Sequence, residues 1–322
     1  MTHTNKNDDD KANNATPCAL HNDNSDAEEV LKNYIENISL PPKHWQRVDC
    51  CGSSRYVYCP ECFCILIPTE DWPIPLKGSS VQLPFQVDVL LEDRRKSSTG
   101  VQLVSVLRAL ESCDDQKEMK MDASAQSSLS NYKLYDVDRN DQIPNYENQE
   151  GTYLLFPGEH SKPLSSLLLK NNNTTNNKPI LRKLVLLDCT WTKSSLRLHK
   201  SVQCLPKVHL DAPPQQSFYW RWHNAGAGML STIEAVYYAA WDIVESLGWT
   251  LEERKILTNL LWLFSLQRSV ILKKYTDKAV IGVNPHLPWT EEAKDFARRL
   301  RNRERREADK SRTENESEGL TS

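Results

Sequence analysis

The chain has 322 residues, enough for one large domain or two modest ones, and 40 Lys and Arg against 43 Asp and Glu leave a formal charge of -3 at pH 7. That balance excludes nucleic-acid binding by bulk positive charge, although local patches remain open. No run reaches the roughly eighteen apolar residues of a membrane span, and MTHTNKNDDDK at the N-terminus lacks the apolar core of a signal peptide, so an intracellular protein with no membrane partner is expected.

In chain order, residues 1–26 are polar and rich in asparagine, and the composition predicts a disordered tail. A helix is expected near Asp26–Ile38. Nine cysteines in a reducing compartment point to a metal site or free thiols before disulfides, and five of them lie between Cys50 and Cys64 in a module spanning about 45–75. Val87 to Leu91 reads as a strand and Ser97 to Gly100 as a turn. Val101, Val104, Leu107 and Leu110 then recur at helical spacing. Residues 113–150 are poor in aliphatics and read as an insertion or long loop. Tyr153 to Phe156 is a second strand, stopped by Pro157-Gly158. Asn171 to Lys178 is a low-complexity loop whose overlapping sequons should stay unmodified without export. Leu184 to Leu187 is a third strand, and Lys207 to Leu210 a possible fourth. Ser231-Thr232-Ile233-Glu234 fits a capping box, followed by an apolar stripe from Ile233 to Leu247 and a stop at Gly248. Thr250 to Glu253 repeats the pattern for a helix running to about Leu272, and Pro288 opens a third that ends in a basic run. Short apolar strands alternating with helices predict an α/β sheet.

Four groups of residues carry chemistry. Cys59 and Cys62 have the Cys-x-x-Cys spacing that places two thiolates on one face of a tetrahedral zinc. Cys51 is a third ligand. The fourth is open between Cys50 and Cys64, because adjacent cysteines rarely face one ion together; the expected set is Cys51, Cys59, Cys62 and Cys64, with Cys50 the alternative to Cys64, and four sulfurs make the site structural. Asp188 ends a buried strand, where ligands of open α/β sheets bind. It is placed to accept a proton or hold a cation, or else to cap a following helix. Phe156-Pro157-Gly158 ends another strand on the same edge, as a ligand loop or a plain turn. The backbone at Leu230, Ser231 and Thr232 opens a helix, where anions are favoured; Glu234 serves its capping box.

Asp188-Cys189-Thr190-Trp191 resembles the signature of the DTW-domain family, Asp-x-Thr-Trp after a buried strand. The cysteine cluster, Ser98-Thr99-Gly100, Leu155-Phe156-Pro157-Gly158, Leu205-Pro206-Lys207-Val208 and Leu230 to Ala235 follow the family's order. The Cys-Gly, Tyr-Cys and Trp-Arg-Trp-His contexts are most similar to the first of its two animal paralogues. The sequence departs from relatives at Ser194, where alanine is usual, and at Cys50-Cys51, where they have Cys-x-x-Cys. The resemblance implies a SPOUT-like α/β sheet with flanking helices and a knotted C-terminal region, in a catalytic domain over 80–285 followed by a basic helix and tail over 286–322. It implies transfer of the 3-amino-3-carboxypropyl group of S-adenosylmethionine to N3 of a D-loop uridine in tRNA. Asp188 would be the base. Phe156, Pro157, Gly158, Thr190, Trp191, Leu230, Ser231 and Thr232 would bind the donor. The alternatives are a methyltransferase of the same fold and a non-catalytic zinc-dependent RNA-binding protein. Arg298 to Arg312 is expected to act as a nuclear-import signal or tRNA grip, or to be a solvated helix face. The nucleus is the expected location.

Overall fold

The structure is a computed structural model and describes residues 25–38, 48–55, 57–72, 81, 83–114, 131–168, 181–189, 198–214, 217–220 and 229–276. The tail before residue 25, the asparagine-rich loop, Thr190, Trp191 and everything after Thr276 lie outside the described residues, and with them the expected basic helix and the C-terminal course on which a knot would depend.

Six parallel strands form the central sheet: β3 (Gln86–Leu91), β4 (Tyr132–Asp136), β5 (Thr152–Leu155), β6 (Lys162–Pro163), β7 (Lys183–Asp188) and β8 (Lys207–His209). Their order across the sheet is β4-β3-β7-β5-β8-β6. A parallel sheet is covered on both faces, so its strands are apolar on both. Val87, Val89, Leu91, Leu184 and Leu186 face the main core, whereas Leu90, Val185 and Leu154 face a second cluster with Tyr146, Val202 and Leu205. The main core is completed by α1 (Ser25–Glu36), α2 (Thr99–Asp114), α3 (Ser165–Leu168), α4 (Thr232–Ser246) and α6 (Trp262–Thr276).

Helix α4 is capped as expected. The Ser231 amide and hydroxyl both donate to the Glu234 carboxylate, at 3.0 and 2.6 Å. At its other end Gly248 has φ +83°, and the amides of Gly248 and Trp249 bond back to Glu245 and Val244, a Schellman stop.

Three expectations change. Tyr132–Asp136, inside the stretch read as an insertion, is the edge strand β4; being partly exposed, it needs few aliphatics. Helix α2 starts at Thr99 and runs to Asp114, beyond the apolar stripe at both ends. The single helix expected after Thr250 is instead a short α5 (Leu251–Arg254), a 3-10 stretch (Lys255–Leu261) and α6. Five consecutive residues, Leu257 to Leu261, are buried there, so the stretch has no solvent face for helical periodicity to show.

Candidate functional site

Two tight turns build the cysteine module. β1 (Val48–Cys50) and β2 (Ser53–Arg55) form a hairpin whose two loop residues, Cys51 and Gly52, have φ of +42° and +74°, the type I′ pattern. In the second, the Phe63 amide bonds to the Cys59 carbonyl at 2.8 Å and the Cys59 amide to the Cys64 carbonyl at 2.9 Å, with Phe63 at φ +58°. The sulfurs of Cys50, Cys51, Cys59 and Cys62 all lie within 4.8 Å of one another. A tetrahedral zinc with Zn–S bonds of about 2.3 Å sets its sulfurs roughly 3.8 Å apart, so this quartet fits the ion. Of the two candidates for the fourth position, Cys50 joins the quartet, and Cys64, in the expected set, does not. Cys64 lies outside the quartet, its sulfur 3.3 Å from that of Cys50. Burial would raise the Cys59 thiol, but amides of Cys62 and Glu61 and the thiols of Cys51 and Cys50 hold it down at about 6. Hydrogen bonding with Cys62 and Cys59 pushes Cys51 up to about 12. The donors around the Cys59 sulfur favour its thiolate, the form that binds a cation. Cys59→Ser should therefore strip bound zinc and cost solubility; metal analysis finding no zinc in the purified wild-type protein would end the assignment.

Asp188 is the meeting point of three segments. It closes β7 and is 6 % exposed. Ser98 caps α2, its hydroxyl accepting from the Val101 amide at 2.9 Å and donating to Asp188 Oδ2 at 2.5 Å. The Gly100 amide donates to the same oxygen at 2.6 Å, so the carboxylate sits on the positive N-terminus of α2. The Thr232 side chain lies near enough to Asp188 to help hold its carboxyl down, and the Thr232 amide bonds Thr99 Oγ1 at 3.0 Å. Burial pushes the Asp188 carboxyl up to about 6, outweighing these donors. Asp188 accepts from the N-terminus of α2, whose Gly100 lies 88 residues earlier, while residues 190–197, where a following helix was the alternative, lie outside the described residues.

Glu234 does more than close its capping box. Fully buried, it also accepts from the Ser217 hydroxyl and the Phe218 amide, both at 2.6 Å, clamping Ser217–Trp220 to the start of α4. Burial raises its carboxyl, opposed by those donors. Tyr219 in turn donates to the Ser97 carbonyl at 3.2 Å.

Phe156, Pro157 and Gly158 follow β5, whose pairing with β7 ends at Leu154 and Val185, so this loop leaves from the carboxyl edge of the sheet, where Asp188 ends β7. Phe156 stays paired with β8 through its amide and the Val208 carbonyl, 2.9 Å apart. Leu230 is half-buried and Ser231 buried. Thr232 lies near Asp188 at the start of α4, while Thr190 and Trp191 lie outside the described residues. A surface cleft lined by Tyr153, His160, Lys162, Ser166 and Lys207 lies toward the β6 edge and does not include Asp188. Ser98, Gly100 and Glu234 were absent from the expected site. The Ser-Thr-Gly turn before a helical stripe was their signal, but nothing local ties it to Asp188.

A model of the DTW domain matches residues 56–272, more than half of the chain. No curated protein and no solved structure matches it.

Proposed function

The chain belongs to the DTW-domain family, which is associated with tRNA modification, and on that premise we propose that it is a tRNA-uridine aminocarboxypropyltransferase. The observation that carries the reading is the convergence on Asp188, at the carboxyl edge of a parallel sheet, of the turn at Ser98–Gly100 and the start of α4. Open parallel sheets bind ligands at this edge.

In this reading S-adenosylmethionine supplies an electrophilic methylene carbon next to its sulfonium. Uridine N3 forms a bond to that carbon, the C–S bond breaks, and its electron pair leaves on 5′-methylthioadenosine. The N3 proton goes to Asp188. A carboxylate has about four lone-pair sites, and with both donors on Oδ2, Oδ1 would take the proton. Uracil N3–H is a weak acid, so a carboxyl lifted to about 6 is a better matched base than an ordinary one. The anchors on Oδ2 fix the direction from which the proton is taken, and holding N3 in line with the carbon supplies the remaining rate by proximity. The Phe156–Gly158 loop and the Leu230–Thr232 backbone would hold the donor, with Thr190 and Trp191 from the signature. Zinc in the cysteine quartet has no open position and would act structurally.

The decisive experiment is nucleoside mass analysis of tRNA incubated with the full chain and S-adenosylmethionine. An aminocarboxypropyl adduct with release of 5′-methylthioadenosine is expected. A methyl adduct would reassign the protein as a methyltransferase, and RNA binding without donor binding or adduct would leave an RNA-binding module.

Nuclear location and tRNA grip by Arg298 to Arg312 belong to the same proposal. No helix among the described residues is long and apolar enough to cross a membrane. Truncation after Phe296 should abolish nuclear accumulation, or weaken tRNA binding with a salt slope shallower by roughly one unit for each phosphate no longer neutralised. Unchanged location, affinity and slope would reduce the segment to a solvated helix.

A further inference from the structure

Arg95 lies in the turn that carries Ser98, and its side chain reaches the second cysteine turn. It is only 12 % exposed. Its Nε donates to Asp136 Oδ2 at 2.6 Å, and its guanidinium lies 3.5 Å from the Pro60 carbonyl, 3.9 Å from the Glu61 carboxylate and 5.3 Å from the Phe63 ring centre. Pro60 and Glu61 are the two residues between Cys59 and Cys62. A planar guanidinium so engaged is held on several sides at once. Its own backbone carbonyl accepts from the Ser98 amide at 3.4 Å. One residue thus touches the metal turn with its side chain and the Asp188 anchor with its backbone. Arg108, from α2, adds a parallel strut to the Cys62 carbonyl at 3.0 Å.

We propose that Arg95 is a positioning residue that couples zinc in the Cys50–Cys51–Cys59–Cys62 cluster to the Ser98–Gly100 turn, so that metal occupancy orients Asp188 without entering the chemistry. Zinc pins Cys59 and Cys62 and so fixes where Pro60 and Glu61 present their oxygens. Arg95 spans from those oxygens to Asp136 at the end of β4, and its position sets the start of α2. With the metal gone the Pro60–Glu61 turn loosens, Arg95 loses one side of its frame, and the donors on Asp188 Oδ2 open more often. The proposal rests on the zinc assignment, and on the transferase reading only for its effect on rate.

The test is hydrogen exchange of the full chain over residues 97–103, which contain the Gly100 amide bonded to Asp188. In wild-type protein, chelating the zinc should raise exchange there by roughly tenfold, about what losing one charge-assisted hydrogen bond allows. Arg95→Ala should keep its zinc, already show the raised exchange with the metal bound, and respond to chelation less than about twofold. Arg95→Lys should resemble the alanine variant, since an ammonium cannot span both partners. Arg139→Ala is the control: Arg139 shares Glu61 and Asp136 but is 53 % exposed and has no hydrogen bond to residues 97–100, so exchange should stay at the wild-type level. The NMR titration of the Asp188 carboxyl should move in Arg95→Ala and not in Arg139→Ala. If zinc-loaded Arg95→Ala exchanges and titrates like wild type, the coupling does not exist; that comparison decides even if chelation unfolds the whole chain. Coupling seen in a protein that makes no aminocarboxypropyl adduct would uphold this inference and remove the transferase reading.

Discussion

Asp188→Asn should lower transfer by about 10²- to 10⁴-fold, the range for losing a general base, while the chain stays folded. The amide is isosteric, and its carbonyl oxygen can still accept from the Ser98 hydroxyl and the Gly100 amide, as Oδ2 does at 2.5 and 2.6 Å. It cannot take the uridine proton. The pH dependence follows from burial, which lifts the Asp188 carboxyl from 3.8 to about 6. The wild-type rate should fall as pH drops through about 6, because the protonated acid no longer accepts, whereas the residual rate of Asp188→Asn should not show that step. Stability runs the opposite way. A carboxyl raised on folding contributes stability that is full below its unfolded value near 4 and is lost as pH rises through its folded value. The shift of about two units corresponds to on the order of 3 kcal/mol favouring the neutral form of this fully buried group. Asp188→Asn should therefore melt no lower than wild type at pH 8, with any advantage shrinking toward pH 5. Calorimetry and single-turnover rates across pH check both halves, and wild-type transfer by Asp188→Asn at every pH would sink the base assignment.

Gly100→Ala should destabilise the protein by about 1–3 kcal/mol and cost most of the activity, although alanine is the better helix former. The helix preference alone would favour alanine by about 1 kcal/mol. Space decides against it. A Cβ at Gly100 would run into Asp188 Oδ2 and come within 2.8 Å of Val89 Cγ1. Val89 is a fully buried residue of β3, and Asp188 is buried and held by the Ser98 hydroxyl, so neither neighbour can yield cheaply. Relief would push the carboxylate off the α2 amides, so the loss of activity should exceed what the loss of stability accounts for. Gly158→Ala is the comparison: its nearest contacts would be the Phe156 ring carbons at 3.7 Å, ordinary packing, and denaturant unfolding should show it near wild type. A Gly100→Ala protein as stable and active as wild type would mean that α2 does not abut Asp188 as described.

Features whose cause is local were legible in the sequence. The runs at Val87–Leu91 and Leu184–Leu187 are strands because a parallel sheet buries both faces, and continuous burial leaves a continuous apolar run. The Ser231–Glu234 box and Gly248 mark α4 because caps satisfy backbone groups within one turn. The ordered short motifs from Cys50 to Tyr238 indicated the family, which the match over 56–272 bears out. The tertiary structure alone decided the rest. The site joins Asp188 to Ser98 across 90 residues, and Thr232 to Thr99 across 133. No periodicity encodes such pairs, because the strand order β4-β3-β7-β5-β8-β6 brings them together. The choice of Cys50 over Cys64 came from which sulfurs the two turns bring within 4.8 Å, and the turn at Cys51 has a positive φ that neighbouring identities do not announce for a non-glycine residue. The strand at Tyr132–Asp136 was hidden because an edge strand is only half covered, so its ladder to β3 and the part-buried Tyr132, Leu134 and Tyr135, rather than a continuous apolar run, hold it in the sheet.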